Sequence, residues 1–167
     1  GWCRSWAIRI NGAPYAAAIE RGYACLDRIW RDGDAVELDF GMPVEIVRAH
    51  PNVAACRGRA ALQRGPVVYC LEETDLGMPP QQLYIDPRDP LRDKYEPELL
   101  GGVVVIEGRA YVPDASRWRG ALYAADAFPH ASVPLKAVPY YAWDNREPGA
   151  MAVWIREGAA AAALGQG

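Results

Sequence analysis

Hydrophobic and polar residues alternate with a period of two along much of the chain. The clearest stretch is "AVELDF", in which Val36, Leu38 and Phe40 share one face while Glu37 and Asp39 share the other. The same alternation occurs in "WAIRIN" and "YACLDRIW", and "MAVWIR" is a further apolar run near the end of the sequence. Because successive side chains of a β-strand point to opposite faces, this pattern predicts half-buried strands.

Turn residues separate these runs. "NGAP" and "RDGD" are typical turn sequences, and Gly65-Pro66 divides "RAALQRGPVVYCLEE" into two short strands. Residues 74–99 are rich in proline and charge, which predicts a long connection with one short strand at Leu83–Ile85. Many short strands with turns between them predict an all-β protein built from β-sandwiches. The Ala- and Gly-rich tail, residues 158–167, is predicted to be disordered.

Composition narrows the class of protein. The chain has 167 residues, of which 51% are hydrophobic and 23% charged, so it can bury a core. The net charge is −3 and no block of Lys and Arg occurs, which argues against a nucleic-acid partner. No apolar run approaches the roughly 20 residues of a membrane span. The sequence begins without Met and without a secretory signal, which predicts a fragment located in the cytoplasm.

Four cysteines are present, and their spacing gives no strong metal signal. Cys3, Cys25, Cys56 and Cys70 form no C-x-x-C pair, and no histidine lies near one of them in the sequence. Free buried thiols are the favoured interpretation, with a metal site or a disulfide as the alternatives. We therefore predict no metal site in this chain.

The remaining polar candidates also have ordinary explanations. His50 and His130 each adjoin a proline and are predicted to lie in surface loops. Hydrolysis of a glycoside needs two carboxylates that face each other across the scissile bond. The sequence offers two groups of acidic residues, each following a predicted strand, and both are interpreted as solvated charges: Glu72 with Glu73, and Asp144 with Glu147. No catalytic residue is predicted.

The segment "VPYYAWDNREPG", residues 138–149, is the best candidate for ligand contact. Aromatic rings stack on the apolar faces of sugars, and Asp, Asn and Arg side chains hydrogen-bond their hydroxyl groups. The same residues also suit a turn, because an Asp-Asn pair and Pro148-Gly149 are turn sequences. Both interpretations concern the same six residues: Tyr140, Tyr141, Trp143, Asp144, Asn145 and Arg146.

Several segments together resemble a known family. "RIWRDGDAVELDFGMPVEIVRAHPNV", "GRAALQRGPVVYCLEETD" and "VPYYAWDNREPGAMAVWIR" are similar, in this order, to the C-terminal part of the β-L-arabinofuranosidases of glycoside hydrolase family 127. The resemblance implies a bacterial carbohydrate hydrolase with an N-terminal (α/α)6 barrel followed by two β-sandwiches. In that family a zinc-bound cysteine in the barrel is the nucleophile. None of the four cysteines here stands in the adjacent-cysteine motif of the family, so no cofactor is expected in this chain.

The resemblance also implies a division of the chain. Residues 1–42 together with 147–157 would belong to an incomplete first sandwich, and residues 43–146 would form the second. The segment 138–149 would then be a domain junction, with Trp143 buried and Arg146 paired with a carboxylate or carbonyl. The implied role is to brace a catalytic barrel absent from this chain. A carbohydrate-binding module with an arabinose-containing glycan as partner is one alternative, and a protein-interaction module is another. Unpaired strands of the first sandwich predict self-association.

Overall fold

The computed structural model describes residues 2–114, 116, 120, 122–123 and 130–158. The chain divides into two compact units, which we call unit 1 (Gly1–Pro43) and unit 2 (Val44–Gly167). The boundary predicted from the sequence lies one residue earlier, between residues 42 and 43. The prediction of an all-β protein is confirmed, and within the described residues the longest helix has four residues. No helix there is long and apolar enough to cross a bilayer.

Unit 1 contains a three-stranded antiparallel sheet and a separate hairpin. The sheet has the order β2–β1–β5, formed by β1 (Ser5–Ile10), β2 (Ala13–Pro14) and β5 (Val36–Gly41). The hairpin joins β3 (Ala18–Glu20) to β4 (Tyr23–Cys25). Both tight turns begin with a non-glycine residue in the left-handed region followed by glycine, as a two-residue hairpin turn requires; these are Asn11-Gly12 and Arg21-Gly22.

One face of the unit 1 sheet is apolar. The register of β1 against β5 sets three apolar pairs on this face: Trp6 opposite Phe40, Ile8 opposite Leu38 and Ile10 opposite Val36. Ile8 and Ile10 are buried, but the side chains from β5 are not, and Leu38 is 57% exposed. The alternation in "AVELDF" therefore predicted the strand correctly, whereas the burial expected for its apolar positions is not found.

Unit 2 contains nine strands and one short helix, α1 (Glu73–Leu76), among its described residues. The strands are β6 (Val44–Val47), β7 (Arg59–Arg64), β8 (Val67–Glu72), β9 (Tyr84–Ile85), β10 (Arg92–Glu96), β11 (Val103–Pro113), β12 (His130–Pro139), β13 (Met151–Ala152) and β14 (Ile155–Glu157). Single 3₁₀ turns occur at Ala54–Cys56, Pro80–Gln82 and Tyr140–Ala142.

Six of these strands close into a barrel. Around the ring, β7 pairs with β8, β8 with β12, β12 with β11, β11 with β9, β9 with β14, and β14 with β7. Only the β9–β14 pair among them is parallel. The two-sheet sandwich predicted for this region is therefore corrected to a closed barrel. Alternation identifies strands but not their neighbours. A short strand at Leu83–Ile85 and a strand in "MAVWIR" were predicted, but no sequence pattern indicated that β9 and β14 pair with each other and close the ring.

Two apolar clusters lie on opposite faces of the barrel strands. Adjacent residues belong to different clusters: Leu71 and Cys70 on β8, Ile106 and Val105 on β11, Ala137 and Val138 on β12. The first cluster draws residues from all six barrel strands, so it fills the interior. The second cluster, which also contains Ala142, lies on the outside and is covered by Leu99, Leu100, Met151 and Val153.

Residues 147–157 belong to unit 2. β13 pairs with β8, and β14 lies between β7 and β9. The prediction that this segment returns to the first unit is therefore wrong, because its backbone hydrogen bonds are made within the barrel. The prediction of a disordered tail falls almost entirely on residues 159–167, which lie outside the described residues.

Candidate functional site

The segment between β12 and β13 is a tight turn. Tyr140–Ala142 forms one 3₁₀ turn, after which Asp144 adopts the left-handed conformation with φ of 63°. The side-chain amide of Asn145 donates to the carbonyls of Ala142 and Trp143, both at 3.1 Å. The Asp-Asn pair thus makes the turn predicted from the sequence, and the turn is fixed by its own hydrogen bonds.

The three aromatic residues of this segment are exposed. The rings of Tyr140 and Trp143 stack at an interplanar angle of 16°, with their centroids 5.9 Å apart. Trp143 is 38% exposed and Tyr141 is 70% exposed. The burial of Trp143 predicted for a domain junction is therefore wrong. Ala142 is the residue of this turn that enters the outer apolar cluster, and the turn directs its neighbours away from it.

Arg146 makes the pairing that was predicted for it. Its guanidinium donates to both carboxylate oxygens of Asp75, at 2.9 and 2.6 Å, and to Glu72. The side chains of Glu72 and Asp75 are 7% and 9% exposed. Hydrogen bonds from Arg146 to Asp75, and then to Glu72, raise the pKa of Arg146 above its ordinary value, against an opposing effect of burial. The interpretation of Glu72 as a solvated charge is therefore corrected.

Helix α1 brings these carboxylates to the segment. It follows β8 directly and ends at Gly77, whose left-handed φ of 68° stops the helix after one turn. Glu73 is bonded to Ala150 twice, since its N–H donates to the carbonyl of Ala150 and its carboxylate accepts from the N–H of Ala150, both at 2.9 Å. The loop that carries the aromatic residues is thus attached to α1 at Arg146 and again at Ala150.

A row of alternating charges continues from this cluster over the outside of the barrel. Lys136 lies 3.7 Å from Asp75 and 2.8 Å from Glu96. Lys94 then bridges Glu96 and Glu107, at 3.1 Å to each. Both lysines of the sequence lie in this row. This row was not predicted from the sequence, although "RDKYE" does place opposite charges two residues apart on one face of a strand.

Glu96→Gln is expected to lower stability modestly at neutral pH, by less than about 1 kcal/mol because the pairs are partly exposed. Hydrogen bonds from Lys136 and then Lys94 hold the pKa of Glu96 below its ordinary value of 4.5. Since the folded pKa is depressed, this stabilisation is present above the unfolded pKa and is lost as the pH falls through the folded pKa. The free energy of unfolding, measured with urea from neutral pH to well below 4.5, should therefore fall less steeply with decreasing pH in the variant than in the unchanged chain. Identical slopes would contradict the prediction.

The cysteines and histidines of the described residues form no metal-binding cluster with this site. All four cysteines are free thiols, as predicted, but of the four only Cys70 shows the predicted burial, which raises the pKa of its thiol to about 12. No three His, Cys, Asp or Glu side chains of the described residues are arranged to hold a metal. The absence of zinc from this chain stays a prediction. His50 is exposed in a loop as expected, whereas His130 begins β12 and packs edge-on against Tyr84.

Comparison with known protein families identifies matches for both compact units of the chain. Residues 1–42 match the middle domain of β-L-arabinofuranosidases of glycoside hydrolase family 127, and residues 44–156 match the C-terminal domain of the same family. The chain belongs to glycoside hydrolase family 127. The resemblance drawn from "RGPVVYCLEE" and "YYAWDNR" is thereby confirmed, and the two family domains meet where the two compact units do.

Individual relatives agree with this assignment. A family 127 β-L-arabinofuranosidase from Geobacillus stearothermophilus T6 has 47% identity over 95% of this chain, with a TM-score of 0.83. A solved structure described as a glycoside hydrolase has 34% identity, 95% coverage and a TM-score of 0.77. The non-reducing end β-L-arabinofuranosidase of Bifidobacterium longum subsp. longum is 35% identical over 93% of this chain. The chain spans about 25% of the length of these relatives.

Proposed function

We propose that this family 127 chain is a non-catalytic β-rich region that braces the catalytic barrel of a β-L-arabinofuranosidase. The relatives named above include two β-L-arabinofuranosidases, of which the chain spans about a quarter. Within the described residues the largest helix has four residues, so they contribute no helical barrel. The paired carboxylates Glu72 and Asp75 are both held by Arg146, an arrangement that favours support of a loop over attack on a substrate.

The observation that carries this proposal is the apolar face of unit 1. We use this name for the side chains of Trp6, Ile8, Ile10, Val36, Leu38 and Phe40 on β1 and β5. The side chains from β5 and Trp6 are 42–57% exposed, which is unusual for four large apolar residues on one face of a sheet. Covering such a face removes apolar surface from water and stabilises the covered form.

We propose that polypeptide of the parent enzyme covers this face. The family match of residues 1–42 is to a middle domain, and unit 1 supplies a sheet of only three strands for it. A sheet of this size with one apolar face needs a second layer for independent stability. Self-association of the chain by the same face is the competing outcome, since another copy could cover it in the same way.

A test is co-expression with the Geobacillus relative truncated by the quarter that this chain matches. The chain alone is expected to release no aryl group from an aryl β-L-arabinofuranoside. Together with the truncated relative it should co-purify and restore turnover, and the relative's own missing quarter serves as the positive control. Turnover by the repurified chain alone, or success of the positive control without any rescue by this chain, would contradict the proposal.

Two matched substitutions make the test specific to the apolar face. Leu38→Lys places a charge on this face, whereas Glu37→Lys changes the adjacent position on the opposite face of the same strand. Because an unpaired buried charge is costly, Leu38→Lys should reduce co-purification by about tenfold or more. Glu37→Lys should leave it nearly unchanged. Equal behaviour of the two variants would show that another surface makes the contact.

A further inference from the structure

We infer that unit 2 carries a contact site for a neutral sugar, formed by an aromatic platform. The platform consists of the side chains of Tyr140, Tyr141 and Trp143 on the turn between β12 and β13. The choice of a sugar as the ligand rests on the proposed function, because a glycan is the relevant ligand for a member of a carbohydrate-degrading family. The site itself stands on the exposure, geometry and chemistry of this turn.

The rings present flat apolar surface to solvent. Tyr140 and Trp143 are nearly parallel at 16°, with their ring centroids 5.9 Å apart, so each ring covers part of one face of the other. Both remain substantially exposed, at 46% and 38%, in a turn that also carries the exposed Tyr141. Clustered exposed aromatic rings are unusual on a protein surface that has no partner, and their apolar faces match the C–H faces of a sugar ring.

The polar groups beside the platform select the charge of the ligand. Asp144 and Glu147 are exposed, and their carboxylates have no partner among the described residues. Arg146, the cation of this turn, is already committed to Glu72 and Asp75. Among the described residues of this turn, the rim therefore offers hydrogen-bond acceptors and no free cation. Such a rim suits a ligand that donates through hydroxyl groups and disfavours an anionic one.

The platform is held in place before any ligand arrives. Asn145 closes the turn through two hydrogen bonds, and the ion pairs of Arg146 fix the turn to α1. Asp144 keeps a left-handed backbone, a conformation that a non-glycine residue adopts at a cost. Preorganised contact residues lose little conformational freedom on binding, which favours affinity from a small contact area.

A protein partner fits these features less well than a sugar. The cores of protein–protein interfaces are depleted in Asp and Glu. This platform is instead flanked by the carboxylates of Asp144 and Glu147, which have no partner among the described residues. Hydroxyl groups of a sugar can use these acceptors directly. Coverage by a second copy of the chain is therefore an outcome of the test and not the proposal.

The experiment is a titration of the chain alone, followed by NMR of the tryptophan indole N–H signals. The Trp143 signal is assigned from the spectrum of Trp143→Phe. L-Arabinose and methyl β-L-arabinofuranoside are the neutral probes, and galacturonic acid is the anionic comparator. We expect a saturable shift of the Trp143 signal with the neutral sugars and a weaker response to the anionic one.

Variants decide whether the platform is responsible. Trp143→Ala and Tyr140→Ala should each weaken sugar binding by about tenfold or more, as expected for loss of one stacking face. Tyr95→Ala removes another exposed tyrosine of unit 2, on β10, and should bind as the unchanged chain does. In the two platform variants, binding is followed by the chemical shifts of the backbone amides near Asn145, because Trp143→Ala lacks the indole signal.

Four results would overturn the inference. These are no saturable shift with either neutral sugar, full binding by both platform variants, equal loss of binding in Tyr95→Ala, and a Trp143 signal that shifts with protein concentration when no sugar is present. The last result would indicate a second copy on the platform. None of these outcomes tests the bracing role, because the titration needs no catalytic region and the co-expression experiment needs no sugar binding by this turn.

Discussion

Arg146→Ala is expected to lower the free energy of unfolding by about 3 kcal/mol, the lower end of the range for breaking a buried ion pair. The variant leaves Glu72 and Asp75 without their main cationic partner, and both side chains are less than 10% exposed. Lys136 remains 3.7 Å from Asp75 and compensates only that carboxylate. Arg146 itself keeps 17% exposure, which is why the lower end of the range applies. Urea unfolding at neutral pH measures the change.

Two further variants identify the cause of that loss. Combining Arg146→Ala with Glu72→Gln and Asp75→Asn removes the unpaired charges, so it should recover part of the lost stability. Arg48→Ala breaks the pair with Glu157, in which Arg48 is 51% exposed, and should have a much smaller effect. If Arg146→Ala and Arg48→Ala were equally mild, the buried cluster would not be a structural anchor.

Local patterns predicted the elements of this protein better than their arrangement. Val36, Leu38 and Phe40 alternate with acidic residues, and they do form a strand, because the period of two follows from backbone geometry alone. Barrel closure depends instead on β9 and β14, of two and three residues, which are too short to show any period. The closing pairs also join residues 72 to 97 positions apart, and no local pattern records such a pairing.

The candidate site shows the same limit. Arg146 was expected to pair with an acceptor, and it has two, Glu72 and Asp75. This could be predicted because a guanidinium donates several hydrogen bonds wherever it lies in a fold. The acceptors themselves lie 71 and 74 positions earlier and could not be chosen among the 21 acidic residues of the chain. Trp143 was expected to be buried because the family resemblance placed its segment at a domain junction. Its exposure depends on the direction that the turn at Asp144 gives to the chain.

Ile155→Ala is expected to lower the free energy of unfolding by about 2–5 kcal/mol, the usual range for truncating a buried aliphatic side chain to alanine. Ile155 is 2% exposed and belongs to the cluster that fills the barrel. It lies on β14, which pairs with β7 on one side and β9 on the other. A cavity at this position removes contacts from the strand that closes the ring, and the rigid barrel can collapse only partly around it.

Arg156→Ala is the matched control for this prediction, because it alters the next residue on β14, whose side chain is exposed. It should leave the unfolding midpoint within experimental error of the unchanged chain. The comparison also tests the assignment of this strand. If residues 155–157 packed on unit 1, Ile155→Ala would leave the unfolding of an isolated unit 2, truncated after Gly158, unaffected. If the strand instead closes the barrel of unit 2, Ile155→Ala should lower the free energy of unfolding equally in the isolated unit and in the whole chain. The reason is that the affected core lies within that unit.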